Sequence, residues 1–183
     1  TGAVAVGECG LDGAALDLER QEVIFDAQLG IARSLNLPLA IHVFRAHERA
    51  LRILRRHPGV RGVLHSYSGS VELLREYLKL GLSVSFAAAV ARSNARKPLL
   101  AARAVPLERL LLETDAPFQP FAPDARERRH GHPADLPKLL EVLAKIRGEA
   151  PAVIADHTSR SARALFRLHE LPEARRPDQP CDP

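Results

Sequence analysis

Five short apolar segments, separated by segments with helical character, constrain the fold of this chain more than any other feature. The apolar segments are too short for buried helices and are rich in Val, Leu and Ile, which is typical of strands covered on both faces. Strands that alternate with helices indicate right-handed βαβ units and a parallel sheet. The predicted strands cover residues 3–8, 38–43, 62–66, 82–86 and 109–114.

The intervening segments carry helix periodicity and helix-ending signals. In residues 17–35, Ile24, Ala27, Ile31 and Leu35 form an apolar stripe that we expect to face the core. Further helices are predicted over residues 46–56, 70–80, 98–103, 134–147 and 151–168. Ser70 is the expected N-cap of the third helix, and Gly81 is the glycine expected to end it. The expected inner face of the second helix consists of Ala46, Ala50, Ile53 and Leu54.

This α/β pattern fits either an open doubly wound sheet or a (β/α)8 barrel, and the strand spacing leaves both possible. A complete barrel takes about 250 residues, whereas this chain has 183. The chain also begins at Thr1 and contains no methionine. We expect a chain truncated at its N-terminus. If the sheet belongs to a barrel, the chain forms a partial TIM (β/α)8 barrel, with the C-terminal five strands and their helices present and the first three strands absent.

The composition predicts one soluble domain over residues 1–169, followed by a disordered tail at 170–183 that carries four prolines. No apolar run approaches 18 residues, which disfavours a transmembrane helix and a membrane partner. The two cysteines, Cys9 and Cys181, do not form a disulfide framework, so we expect a reducing, cytoplasmic location.

Potential metal ligands stand at the ends of four of the five predicted strands. They are Glu8, His42, His65 and Asp115. Functional residues of parallel α/β folds lie at the carboxyl ends of the strands, so these side chains are expected at one rim of the sheet. Imidazole and carboxylate groups together suit divalent ions that activate water for hydrolysis. Each residue alone has a structural alternative, such as a core carboxylate paired with arginine for Glu8 or a packing histidine for His42.

Four ordered motifs resemble the TatD family of metal-dependent deoxyribonucleases. They are Gly-Glu-Cys-Gly-Leu-Asp at 7–12, Pro-Leu-Ala-Ile-His at 38–42, Leu-His-Ser-Tyr-Ser-Gly-Ser at 64–70 and Leu-Glu-Thr-Asp-Ala-Pro at 112–117. The resemblance extends from about residue 4 to residue 166. It implies an amidohydrolase-type (β/α)8 barrel that hydrolyses phosphodiester bonds, with DNA as substrate and no stable protein partner.

The resemblance also implies roles for the four residues. Glu8 would bridge two divalent ions, which could be Mg, Mn, Zn or Co. His42 and His65 would bind one ion, while Asp115 would help to hold the other and orient or deprotonate the attacking water. For Glu113 we expect a structural role.

Some positions depart from the family pattern. The His-x-His pair of the family's first strand is absent upstream, and the pair at His130 and His132 follows the last strand instead. After His42 the family's arginine is displaced by one position, to Arg45. Arg45 and His132 are therefore the candidates for contacts with substrate phosphates. Whether this chain is active by itself stays open.

Two other functions remain possible on the residues alone. Related barrels use similar ligands to hydrolyse small esters, amides or lactones, and a fold does not determine a reaction. A truncated or decayed barrel fragment without catalysis is the second alternative. Comparing the hydrolysis of oligonucleotides with that of small esters and amides would distinguish the first alternative from a deoxyribonuclease. Metal analysis of the purified chain would test the second alternative, because a stoichiometric ion argues against a decayed fragment.

Overall fold

The computed structural model describes residues 2–92, 94–121 and 130–168. The tail expected at 170–183 lies outside these residues, so the domain boundary stays a prediction. The strands are β1 (Val6–Asp12), β2 (Leu39–Phe44), β3 (Gly62–Leu64), β4 (Ser83–Phe86) and β5 (Leu110–Leu112). The helices are α1 (Leu18–Ser34), α2 (His47–Leu54), α3 (Val71–Lys79), α4 (Arg96–Ala104), α5 (Leu136–Arg147) and α6 (Pro151–Phe166).

The predicted α/β fold with a parallel sheet is confirmed. All four strand pairs are parallel, and the strand order is β1-β2-β3-β4-β5. Consecutive strands are therefore neighbours throughout, without the reversal of strand order that a doubly wound sheet has at its switch point. This order places the carboxyl ends of all five strands along one rim.

The apolar stripe predicted for α1 is wrong. Ile24, Ile31 and Leu35 are about half exposed, whereas Phe25 and Leu29 are fully buried against the sheet. The two possible stripes are one residue, or about 100°, apart on the helix. Because both are apolar, periodicity alone could not decide which one packs on the sheet.

The other helix predictions agree better with the structure. The predicted inner face of α2 is buried throughout, and the Ser70 side chain accepts a hydrogen bond from the backbone N–H of Leu73 at the start of α3. Gly81 has φ 81°, the left-handed conformation expected after a helix end. A short 3-10 helix, Ala88–Ala91, follows β4 and was not predicted.

Strand β1 is longer than predicted and contains an irregularity. Its register with β2 pairs Val6 with Leu39 but Cys9 with Ile41, so β1 carries one extra residue between these pairs. Glu8 lies in this bulge rather than at the strand end, which corrects the sequence prediction. Bulges redirect side chains relative to a regular strand, which explains how a mid-strand residue reaches the rim.

Left-handed backbone conformations mark the loops at the rim. Arg45, Ser66 and Asp115, which follow β2, β3 and β5, have φ of 51°, 47° and 52°. Non-glycine residues pay about 1–3 kcal/mol for such conformations, which persist where surrounding contacts determine them and cluster at functional sites.

The described helices include none with the length and apolar character needed to cross a membrane.

Candidate metal centre

Three of the four predicted ligands meet at the rim of the sheet. Glu8 Oε1 lies 2.6 Å from His65 Nε2 and 2.9 Å from His42 Nδ1. The two imidazole nitrogens are 3.0 Å apart. Among the described residues, this is the one group of three His, Cys, Asp or Glu ligand atoms within 4.8 Å of one another. The convergence joins residues 57 positions apart in the chain.

The donor atoms fit a divalent ion. Two imidazole nitrogens and one carboxylate oxygen are ligands that Zn, Mn and Co accept. Ligands at about 2.0–2.1 Å from a tetrahedral ion lie about 3.3 Å from one another, so the three atoms, now 2.6 to 3.0 Å apart, need to separate by less than about 1 Å. The Glu8 and His42 side chains are 54% and 35% exposed, which leaves the centre open to solvent.

The sheet positions each of these side chains. Glu8 comes from the bulge of β1, and His42 lies near the end of β2. His65 is the first residue after β3, and its backbone N–H donates to the Ile41 carbonyl at 2.9 Å. The backbone of Gly10 also passes so close to β2 that a Cβ there would lie 1.9 Å from the His42 carbonyl oxygen. Close strand approach therefore sets the separation of the ligands.

Glu113 contacts His65 on the side of the ring that faces away from Glu8. Its Oε1 accepts a hydrogen bond from the Ser66 backbone N–H and lies 3.5 Å from Nδ1 of His65, the ring nitrogen that faces away from Glu8. Burial by itself lowers the pKa of His65. The hydrogen bond and charge of Glu113, followed by the charge and hydrogen bond of Glu8, outweigh burial and raise that pKa to about 9.

Asp115 is near the centre but is not a member of the three-atom group. It lines a cavity of about 340 Å³ together with His42 and His65. Its Oδ2 accepts a hydrogen bond from the side-chain amide of Gln119 at 2.6 Å. The structure therefore brings the fourth predicted residue to the same rim, on the opposite end of the sheet from Glu8.

One arginine lines this cavity, and it is not the predicted one. Arg92 follows the 3-10 helix after β4 and is exposed. No carboxylate of residues 2–92, 94–121 or 130–168 pairs with its guanidinium. The remaining wall of the cavity consists of Val43, Phe44, Ser66, Ser68, Ala89 and Gln119.

The two predicted substrate contacts lie elsewhere. The Arg45 guanidinium stacks 5.0 Å from the centre of the Phe44 ring, and Phe44 rather than Arg45 lines the cavity. His132 caps the helical turn before α5, where its Nδ1 accepts the Ala134 N–H, and it lines a separate cavity with Lys138. A role for Arg45 and His132 in substrate binding stays a prediction.

The comparison with known families decides where this chain belongs. The sequence model of the TatD related DNase family matches residues 1–167. The chain belongs to this family. The resemblance inferred from the four motifs is thereby confirmed.

Individual relatives agree with this assignment. The chain is 40% identical over 177 residues to the 3'-5' ssDNA/RNA exonuclease TatD of Pantoea ananatis. It is 33% identical over 172 residues to the uncharacterized metal-dependent hydrolase YabD of Bacillus subtilis. Among solved structures, the YJJV TatD homolog of Escherichia coli superposes with a TM-score of 0.82 at 32% identity, covering 89% of this chain and 63% of that one.

The alignments cover 90% and 91% of this chain but only 66% of the TatD exonuclease and of YabD. The chain thus spans about two thirds of the length of these relatives. The family match starts at residue 1 and covers nearly the whole chain, so it does not support the expected truncation.

The contacts that Glu113 and Gln119 make in the site were not predicted from the sequence. Glu113 was expected to be structural, and its contact with His65 was not predicted, because Glu113 lies beyond the end of β5 at Leu112 and regular strand geometry does not fix its direction. Gln119 lies in a segment that the sequence showed only as a long polar loop. For both, the contact partners come from other strands and could not be read from local spacing.

Proposed function

We propose that this chain forms the metal-binding part of a divalent-metal-dependent hydrolase that cleaves phosphodiester bonds of DNA. The convergence of the Glu8, His42 and His65 ligand atoms within 4.8 Å is the observation that carries this proposal. The identity to a protein named as a 3'-5' ssDNA/RNA exonuclease supports a nucleic acid as the substrate. A cytoplasmic location is part of the same proposal.

In this proposal Glu8, His42 and His65 would hold one divalent ion, and Glu8 and Asp115 would contribute to a second. When bound, such ions acidify a water molecule and stabilise negative charge on phosphate oxygens. Imidazole and carboxylate donors accept Mg, Mn, Zn or Co to different degrees. The pairing of His65 Nδ1 with Glu113 orients the ring so that Nε2 faces the centre.

Other residues of the cavity would accept the proton and bind the substrate. Asp115 lies in the wall of the cavity and accepts the proton of the attacking water. Arg92 presents an unpaired guanidinium, within the described residues, to the same cavity and binds a phosphate of the substrate. Guanidinium groups bind phosphate oxygens bidentately. Arg45 and His132 remain the second pair of candidates for contacts further along the strand.

We also propose that the five strands belong to an eight-stranded barrel. The consecutive parallel order supports this, as does the superposition on the YJJV structure. Within the described part of the chain, β1 and β5 each pair with one strand only. A barrel closes these edges with further strands, whose residues would complete the second ion site.

A nuclease assay tests the proposal. Single-stranded DNA labelled at its 5′ end is incubated with protein treated with EDTA and then supplied with Mg, Mn, Zn or Co. We expect cleavage only after an ion is restored, and we expect Glu8→Gln and His65→Gln to abolish it. His157→Gln, on α6, is the matched control. Cleavage that survives chelation, or cleavage that Glu8→Gln leaves unchanged, would contradict the proposal.

A substrate panel separates this function from its rival. Small esters, amides and lactones are offered under the same conditions as the oligonucleotide. Faster turnover of these compounds than of DNA would favour an amidohydrolase-type reaction at the same centre. Arg92→Ala should weaken oligonucleotide turnover and leave that of uncharged esters unchanged, because only the former presents a phosphate.

A further inference from the structure

Gln119 makes three hydrogen bonds at the cavity wall. Its Nε2 donates to Asp115 Oδ2 at 2.6 Å and to Ser66 Oγ at 2.5 Å. Its Oε1 accepts from the backbone N–H of Ala89 at 3.2 Å. A glutamine amide has two N–H donors and one carbonyl oxygen, so both donors and the oxygen of this side chain are engaged.

These contacts determine the orientation of the amide. The backbone N–H of Ala89 is a donor, so the atom facing it must be the carbonyl oxygen. The NH₂ group is thereby directed to Asp115 and Ser66. Reversing the amide would place a donor against the Ala89 N–H and an oxygen against the Asp115 carboxylate, which would lose two hydrogen bonds and add repulsion.

The chain returns to Asp115 through a tight turn. The backbone N–H of Phe118 donates to the Asp115 carbonyl at 2.8 Å, which places Gln119 beside the carboxylate. Asp115 itself lies beyond the end of β5 and has a left-handed backbone. Regular strand geometry therefore does not hold its side chain. The bond from Gln119 to a carboxylate is of the charge-assisted kind, which is shorter and stronger than a neutral one.

Gln119 also joins three loops of the rim. Ser66 belongs to the loop after β3, Ala89 to the 3-10 helix after β4, and Asp115 to the loop after β5. One side chain thus ties the position of the Asp115 carboxylate to the segments that follow β3 and β4. Within the described residues, the other carboxylate oxygen, Oδ1, has no hydrogen-bond donor and stays available for a further ligand.

We propose that Gln119 is a positioning residue that fixes the Asp115 carboxylate by occupying Oδ2, so that Oδ1 remains for the role that the proposed function gives to Asp115. The inference rests on the proposed function for the role of Asp115. Its geometric part, the hold of Gln119 on Asp115, is independent of any metal. Two experiments test these parts separately.

The first experiment uses NMR of the metal-free, ¹⁵N-labelled full chain. The Gln119 side-chain amide signals are identified by their absence from the spectrum of Gln119→Glu. We expect them to be displaced from the signals of exposed glutamine amides and to shift when Asp115→Asn removes the charged acceptor. Signals at exposed-glutamine positions that Asp115→Asn leaves unmoved would overturn the inference.

The second experiment compares steady-state kinetics of the Mn²⁺-loaded wild type with Gln119→Leu and Gln119→Glu. A misplaced proton acceptor lowers kcat without weakening substrate binding, so we expect kcat to fall about 10- to 100-fold with KM changed less than about threefold. Gln28→Leu, on α1, serves as the matched control, and thermal unfolding confirms that each variant is folded. A wild-type kcat in folded Gln119→Leu, or an effect on KM alone, would overturn the inference.

The two failures are distinguishable. If the wild-type chain cleaves no DNA with any ion, the proposed function fails, while the NMR experiment still decides whether Gln119 holds Asp115. If the wild type is active and the Gln119 variants match it, the proposed function stands and the positioning role is refuted.

Discussion

Replacing Glu113 by glutamine should weaken metal binding while leaving all three direct ligands in place. The carboxylate lies 3.5 Å from His65 Nδ1 and accepts the Ser66 N–H. Glutamine keeps the shape and can still accept from Ser66, but it loses the negative charge that pairs with the imidazole. Loss of such a supporting partner costs about 10- to 100-fold in metal affinity, which equals about 1.4–2.7 kcal/mol.

The size of this loss depends on pH. In the metal-free protein, Glu113 and Glu8 outweigh burial and raise the pKa of His65 to about 9, so an incoming ion must displace a proton at pH 7. Wild-type affinity should therefore rise about tenfold per pH unit between pH 7 and 9. In Glu113→Gln the pKa is lower and this rise ends earlier. We thus expect the smallest deficit of the variant at pH 7 and the largest at pH 9.

The same shift has a consequence for stability without metal. The folded-state pKa of His65 lies above its ordinary value near 6.5. The stabilisation from this group is fully present below pH 6.5 and is lost as the pH rises through about 9. Urea unfolding of the EDTA-treated chain should show a decline in stability across that window, and the decline should be smaller in Glu113→Gln.

Isothermal titration with Mn²⁺ or Zn²⁺ at pH 7, 8 and 9 measures the affinities. Glu141→Gln, which removes an exposed carboxylate on α5, is the matched control and should bind like the wild type. Equal affinity of Glu113→Gln and the wild type at pH 9 would refute the argument that Glu113 supports the centre through His65.

Two further predictions concern the scaffold that positions the centre. Gly10→Ala should lower the free energy of unfolding by at least about 2 kcal/mol, because φ is 140° and the added Cβ would meet the His42 carbonyl oxygen. Gly30→Ala on α1 is the control: nothing lies near the added Cβ, so the free energy of unfolding should rise by about 0.5–1 kcal/mol. Tyr77→Phe should cost about 1–3 kcal/mol, because the buried hydroxyl is 2.9 Å from His47 Nδ1, which would lose its partner. Urea denaturation measures all three, and a Gly10→Ala chain as stable as the wild type would contradict the close strand approach.

Much of the framework could be predicted from local sequence. The parallel sheet, the five strand positions and the approximate helices followed from hydrophobic runs and turn residues, because burial on both faces demands continuous apolar strands. The meeting of His42 and His65 at one rim also followed, since parallel strands end there, whereas Glu8 reaches the rim from a bulge within β1. These predictions need only short-range patterns and the topology of βαβ units.

Other features depended on contacts between distant residues. Apolar residues on two adjoining faces of α1 made its buried side undecidable until the helix packed on the sheet. The bulge that carries Glu8 exists only in the pairing of β1 with β2. Local spacing contains no information about such register shifts.

The amino-acid sequence by itself determined the α/β class and the residue types available at the rim, because strand burial and chain order are properties of local segments. Only the tertiary structure decided which atoms meet there: Glu113 behind His65, Gln119 on Asp115, and Arg92 rather than Arg45 in the cavity. These contacts arise where loops from different strands approach within hydrogen-bond distance. Their geometry is set by strand register and backbone conformation, which act between residues far apart in the chain.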